Sequence, residues 1–416
     1  MRSIKRIVVL SVFSLSLACV LLYFRINDKS SKELTIGCFT NSEWGIPDRD
    51  FNAPVEKAIE IFHERYPDIE IKYQSGIRES DYSEWLMEGF VEGAEPDVFL
   101  VRHDDLYSLE TKGALQSLNY VIRNDKDISS TDYYPALIDR EKTGNEIYGL
   151  PYMCDPVLMA VNKNIIDAIG IEDHGDTWTW GDFHTACRLA SVYTDRDEHY
   201  FGFSGYNWKM AAISNGAHFF NADGSENYLN SKEVSQAVNY FYRIKNKMTV
   251  EEDFYSGKVA FSPMKASEYR RNTTSLHMMS RFSDFDWYCK SMPAGPSGDN
   301  ISETELLSAA ISSRSGNKKA AWEFLKILCG DIEVQKAILE NTAALPTKKN
   351  VIKSAGKDYG KTDFDMLDRV LDKAQVPCRF IGYEDLVIKM DSAVEKAIDS
   401  SQDLDSALQD AHRSIS

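Results

Sequence analysis

Glu33-Leu-Thr-Ile-Gly-Cys-Phe39, Asn52-Ala-Pro-Val55, Ile69-Glu-Ile-Lys-Tyr73 and Val98-Phe-Leu-Val101 decide the fold, because in this order they alternate strand and helix. The first is an apolar run of strand length. The second opens a helix: Pro54 falls in its first turn, where a missing N–H costs little. Val55, Ala58, Ile59 and Phe62 then keep helical spacing. Tyr66-Pro67 ends that helix, since a residue before proline is pushed toward extended backbone. Residues 69–73 alternate as a second strand, and Pro96-Asp97 introduces a buried strand at 98–101, followed by a helix and Gly113. Such an order predicts an α/β fold whose sheet contains parallel pairs. Further along, Lys318 to Gly330 puts Ala321, Phe324, Leu325 and Leu328 on one helical face, with Gly330 as the expected stop. The chain from Glu384 onward reads as helical, with a polar break at Ser400-Ser-Gln402.

Of the 416 residues, those after about Ser30 exceed one typical core, so two lobes are expected. The balance of 47 basic and 64 acidic residues, net −17, disfavours nucleic acid or an anionic membrane surface as a partner. Cysteines stand at 19, 38, 154, 187, 289, 329 and 378, with no CxxC pair, so neither a zinc knuckle nor a thioredoxin-type motif is expected. Disulfides and buried free thiols both remain open for the last six.

The N-terminus reads as an export signal: basic Met1–Arg6, then an apolar run from Ile7 to Phe24 closed by Arg25. Ser16-Leu-Ala-Cys19 resembles a bacterial lipoprotein box, which would make Cys19 the lipidated residue. That box usually has leucine where Ser16 stands, and the apolar run continues past the cysteine. At ~1.5 Å per residue the run would just span a ~30 Å hydrocarbon core, so an uncleaved anchor is the alternative, with ordinary cleavage as a third. Residues 1–25 are assigned to this segment and 26–32 to a linker. Lipidation or anchoring would hold the protein on the outer face of the cytoplasmic membrane.

A series of short motifs resembles the extracellular solute-binding proteins of the carbohydrate class, the capture subunits of ABC importers. Pro67-Asp-Ile-Glu-Ile71, Glu95-Pro-Asp-Val98 and Gly113-Ala-Leu-Gln-Ser-Leu118 come first. Tyr148-Gly-Leu-Pro151 with Met159-Ala-Val-Asn162, then Thr177-Trp-Thr-Trp180, follow. Asn215-Gly-Ala217 with Asn221-Ala-Asp-Gly224, residues 254–261, Met292-Pro-Ala-Gly-Pro296 and Ala343-Ala-Leu-Pro346 complete the set. Each is weak alone, and their common order carries the resemblance. It implies a two-lobed periplasmic-binding-protein type II fold with the ligand in a cleft between lobes. The implied N-lobe is 33–152 and 307–345, the C-lobe 157–301 and 346–416, and the hinge lies near 153–156 and 302–306. A monomer with no cofactor and no metal is expected, partnered by a saccharide and by the permease subunits of the membrane.

A saccharide site needs aromatic rings for apolar sugar faces and carboxylates, amides or arginine for hydroxyls. Asn41, Glu43 and Trp44 follow the first strand, where the family contacts ligand; the alternative for Trp44 is a cap over the first helix. Asp104 is the one residue of His103-Asp-Asp105 that carries over from the maltodextrin-binding pattern, with helix capping as its alternative. Asp155 matches a ligand carboxylate in the crossing segment. Trp208, with Tyr206 nearby, and Tyr269 match cleft aromatics, with core packing as the alternative. Arg379 and Tyr383 stand near the final helices, where family members offer side chains. The set is more polar than a maltodextrin groove, which points to a short or substituted saccharide.

No GxSxG, HExxH, P-loop or GxGxxG stands in a suitable context, so an enzyme is not expected. Tyr133-Tyr134 precedes Pro-Ala-Leu in a stretch resembling an ordinary family segment, so packing is expected over iron binding. Two alternatives remain. One is a tethered sensor that passes ligand occupancy to a histidine kinase. The other is a receptor for a different polar solute such as a polyamine or peptide, which the acidic Glu43, Asp104, Asp105 and Asp155 would suit.

Overall fold

The structure, a computed structural model, describes residues 33–40, 42–74, 76–172, 175–195, 198–221, 224–274, 284–356, 362–378, 380, 382–399 and 404–415. Export signal, linker and Cys19 lie outside these, as do Asn41 and Arg379. No helix among the described residues is long and apolar enough to cross a membrane.

Among the described residues nine strands form the main sheet: β1 (Glu33–Gly37), β2 (Glu70–Gln74), β3 (Val98–Arg102), β4 (Gly149–Asn162), β5 (Phe201–Phe203), β6 (Val259–Lys265), β7 (Trp287–Lys290), β8 (Thr304–Ile311) and β9 (Leu345–Pro346). Their order is β2-β1-β3-β8-β4-β6-β5, with β7 and β9 also paired to β4. β1 runs parallel to β2 and β3, as the alternation of strand and helix requires. Helix α1 (Ala53–Arg65) makes the first crossover, with Asn52 at its N-cap and Tyr66 at its C-cap. Helices α2 (Glu79–Glu92) and α3 (His103–Thr111) follow β2 and β3.

Strand β4 joins the two halves of the molecule. It is buried along its whole length except at the half-buried Val157, so it reads as an apolar run rather than an alternating one. Its first half pairs antiparallel with β8, from Gly149 opposite Ala310 to Pro156 opposite Thr304. Its second half pairs with β6 and β7. Within the first half Met153 faces Leu307 and Pro151 faces Ser308, leaving Tyr152 as an extra residue. Such a bulge bends the strand and increases its twist.

The helices that matter for the site come next. α4 (Trp180–Val192) starts at a capping box in which Thr179 and Asp182 exchange side-chain and backbone bonds. α5 (Trp208–Ser214), α6 (Lys232–Met248) and α7 (Ala266–Thr274) follow. α8 (Lys318–Gly330) buries the expected face, but Gly330 is still helical. Asp331 ends the helix and also caps α9 (Ile332–Asn341), so the stop comes one residue later than the glycine predicts. α10 (Tyr383–Asp399) and α11 (Leu404–Ile415) pack on each other at the C-terminus.

Among the described residues three apolar clusters make the core. One draws on residues 34–153 and 307–344, a second on 159–292 and 380–411. The third gathers Tyr134, Cys154 and Leu158 with Tyr269, Leu306, Leu345 and Phe364, and so lies between the other two in sequence origin. Arg270 on α7 is wholly buried and donates to the carbonyls of Leu339 (2.7 Å), Thr342 (3.1 Å) and Ala344. A cation suits this place, because the C-terminal end of α9 carries partial negative charge. The six described cysteines are all free thiols, five of them buried. Tyr133 and Tyr134 are buried too, donating to the Cys329 carbonyl (3.1 Å) and to Asp368 (2.8 Å).

Candidate ligand cleft at the strand crossing

The start of β8 and the middle of β4 bring polar groups together. Glu305 stands opposite Asp155 in the ladder, so their side chains share a face. Glu303 lies two residues before Glu305 and shares that face; its carbonyl accepts from Val157 N–H at 2.9 Å. Lys265, at the end of β6, stands opposite Val157 on the other side. Its ammonium reaches Glu305 at 3.0 Å and Glu43, in the loop after β1, at 3.1 Å. Arg271 on α7 also donates to the Glu43 carbonyl. These contacts link the β1 side of the molecule to the β6 side.

Asp155 is completely buried. One carboxylate oxygen accepts from the Ser267 N–H at 2.8 Å, and the other has no hydrogen-bond partner among the described residues. Burial pushes its pKa up to about 7; bonds from Ser267 pull the other way, and Glu305 adds to the rise. Burial also raises Glu303, with Lys209 opposing and Glu305 reinforcing. Asp104 is an exposed residue whose carboxyl is nonetheless raised, first by desolvation and then by Glu384. Glu384 lies in the first turn of α10. Tyr107 of α3 packs against the second core cluster, a further tie across the crossing.

The expected residues divide into two groups. Glu43, Asp104 and Asp155 lie around the crossing. Tyr383 lines, with Glu303, Phe219 and Phe220, a crevice of about 20 Å³, too small for a sugar ring as it stands. Trp208 adjoins that crevice through Phe219, its ring centroid 5.5 Å away, but is only 2% exposed. Tyr206 is buried in the second cluster against Phe183 and Phe203. Tyr269 is buried in the third, its ring on Trp287 and its hydroxyl accepting from the Asp363 N–H at 3.3 Å. Trp44 is buried in the first cluster with Val55 and Ala58 of α1, and its carbonyl accepts from Ala343 N–H at 2.7 Å. Asp104 does not cap its helix: Arg102 holds the N-cap position and Asp104 lies inside the first turn. Sequence reading missed Lys265, Glu303 and Glu305. The alternation Ser302-Glu-Thr-Glu-Leu306 was a signal for two of them, since period two puts both glutamates on one face.

Among the described residues no group of three or more His, Cys, Asp and Glu is placed to hold a metal ion. The arrangement offers hydrogen-bond acceptors and ammonium donors around one strand crossing, which suits binding a polar solute.

Comparison with known proteins agrees. The sequence pattern of the bacterial extracellular solute-binding proteins matches residues 44–331. The chain belongs to this family. The family and its structural neighbours are binding proteins, not enzymes. No curated protein sequence matches at a significant level. Among solved structures, the chain is similar to the sugar-binding protein MalE of Xanthomonas citri, with TM-score 0.75 and 17% identity over 92% of this chain and 96% of that one. It is also similar to a Listeria monocytogenes substrate-binding protein in complex with cycloalternan, with TM-score 0.66 and 21% identity over 92% and 97%. A cyclic alpha-maltosyl-1,6-maltose binding protein of Arthrobacter globiformis gives TM-score 0.73 and 15% identity over 92% and 97%. At these identities the likeness establishes the two-lobed α/β fold of the family.

Proposed function

We propose that this protein is the capture subunit of an ABC importer, closing about its strand crossing on a short saccharide and delivering it to the permease. The observation that carries this reading is the junction itself. One continuous strand, β4, pairs with β8 in its first half and with β6 and β7 in its second, and near the change of partners lies the buried carboxylate of Asp155, one of whose oxygens has no hydrogen-bond partner among the described residues. The hinge is assigned to 153–156 and 302–306, next to the bulge at Tyr152. The lobes are 33–152 with 307–345 and 157–301 with 346–416. Neighbouring structures hold cycloalternan or maltotetraose, and another belongs to a cyclic alpha-maltosyl-1,6-maltose binding protein, which supports a saccharide here. Glu43, Asp104, Asp155, Tyr383 and, outside the described residues, Asn41 and Arg379 are the proposed contacts, with Trp44, Tyr206, Trp208 and Tyr269 supporting from the core. Residues 1–25, with lipidation at Cys19 as the leading form, tether the protein outside the cytoplasmic membrane. Closure does the work: a solute drives it only by binding the closed form better than the open one.

Thermal unfolding against a panel of mono- and oligosaccharides, with polyamines and peptides as controls, tests this. A ligand at ~100 times its dissociation constant stabilises the native state by about 2.7 kcal/mol. A shift with one glycan class supports the reading, and a shift with peptides alone overturns it.

A further inference from the structure

We infer that the saccharide taken up by this cleft carries a carboxylate, as a uronic acid does, and that Arg78 and Arg102 hold it. This inference rests on the saccharide reading above and narrows its substrate class. The site is an open recess of about 590 Å³ lined by Glu43, Arg78, Glu79, Ser80 and Arg102. Its size falls in the ~300–1,000 Å³ range of small-molecule sites, unlike the crevice at Tyr383. The fold puts it at the carboxyl ends of β1, β2 and β3, of which β1 runs parallel to both others. Open α/β sheets take their ligands outside those ends. Thr40, after β1, bridges to Arg78, after β2: its N–H donates to the Ile77 carbonyl at 2.7 Å and its carbonyl accepts from the Glu79 N–H at 3.3 Å. Arg102 closes β3 opposite Leu307 of β8. The two arginines hold the N-cap positions of α2 and α3, so each side chain leaves a backbone fixed on both sides. Glu43 joins the recess to the strand crossing through its ion pair with Lys265.

Charge and hydrogen bonding select the occupant. Both acids of the recess are engaged within the protein. Glu43 holds the Lys265 ammonium at 3.1 Å, and Glu79 accepts from the Glu43 N–H at 3.3 Å. The guanidiniums are far less committed. Arg78 is exposed and makes no hydrogen bond or ion pair among the described residues. Arg102 is half exposed, and its ion pair with Glu79 is 3.9 Å long, beyond hydrogen-bond reach. Its charge is shared with Asp104 and Asp105 in the turn that follows, so Arg78 is the freer of the two. A guanidinium offers five N–H donors in a planar fork that matches the two oxygens of a carboxylate. A neutral sugar hydroxyl would accept one of these bonds and leave the positive charge uncompensated. A phosphate dianion would meet the repulsion of Glu43 and Glu79 in the same recess, and a singly charged carboxylate meets less of it.

Calorimetric titration of the full-length protein tests this, with galacturonate, glucuronate and mannuronate oligosaccharides, their methyl esters, maltotriose and glucose 6-phosphate as probes. One of the free acids is expected to bind at least about tenfold more tightly than its own methyl ester and than maltotriose. Arg78→Ala and Arg102→Ala, both changes at exposed side chains, should each remove most of that preference, Arg78→Ala the more. Equal or tighter binding of an ester or of maltotriose overturns the inference and leaves the saccharide reading standing. So does a preference for the acid that survives both substitutions, or tighter binding of glucose 6-phosphate than of any uronate. No binding by any of these sugars overturns both.

Discussion

Glu141 shows how one buried side chain ties stability to pH. It is wholly buried, accepts a hydrogen bond from Ser308, and has a second oxygen with no partner among the described residues. Burial pushes its pKa up to about 8 from an ordinary 4.5. The folded state therefore holds this proton more tightly than the unfolded chain does. The resulting stability is fully present below about pH 4.5 and is lost as pH rises toward 8. Asp155, raised to about 7, acts in the same direction. Glu141→Gln should flatten the decline, removing at most about 1.4 kcal/mol per pH unit across that window, as read from denaturant midpoints. Trp208 belongs to the same scale. With its ring buried on Phe219, Trp208→Ala should cost about 3–5 kcal/mol in a denaturation experiment, whatever it does to sugar binding. Burial of this degree was not legible in the sequence, because a tryptophan facing a cleft and one packed beneath it share the same local context.

At the level of elements, local signals were clear wherever the apolar period was long. β1, α1, β2 and β3 begin and end close to the expected residues because Pro54, Tyr66-Pro67 and Pro96-Asp97 punctuate them. The end of α8 shows the opposite case. Gly330 was the obvious stop, but Asp331 both ends that helix and caps the next, and an acidic cap outweighs a nearby glycine. The start of α4 depends on the pair Thr179 and Asp182, so Thr179→Ala should destabilise the protein by about 1 kcal/mol in thermal unfolding. Nearby, the loop after β7 passes so close to α5 that a Cβ at Gly298 would fall 1.9 Å from the Ser214 carbonyl oxygen. Gly298→Ala should therefore force a backbone shift and lower the melting temperature more than the loss of the Thr179 cap does.

On the scale of the whole molecule, Lys265 and Arg271 fasten the β6 side to Glu43 on the β1 side. The double variant Lys265→Ala, Arg271→Ala should shift the ligand-free protein toward more open shapes, seen as a larger radius of gyration in solution scattering. An unchanged radius would mean that the deeper grip of Arg270 on the end of α9 sets the shape instead. The two-lobed plan was legible from length and motif order. The junction was only half legible: alternation at 302–306 put Glu303 and Glu305 on one face, a signal that went unread, and the meeting of Glu305 with Asp155 and Lys265 joins distant segments that no local pattern encodes. Cys154 lies on the strand that runs through this junction, with no exposed surface and a thiol held well above its ordinary pKa by burial. An alkylating reagent can reach it only while the junction is parted, so the labelling rate of its peptide becomes an intrinsic stopwatch for excursions of the native protein. Cargo that holds the halves together would slow that stopwatch, giving a residence-time assay that needs no added fluorophore.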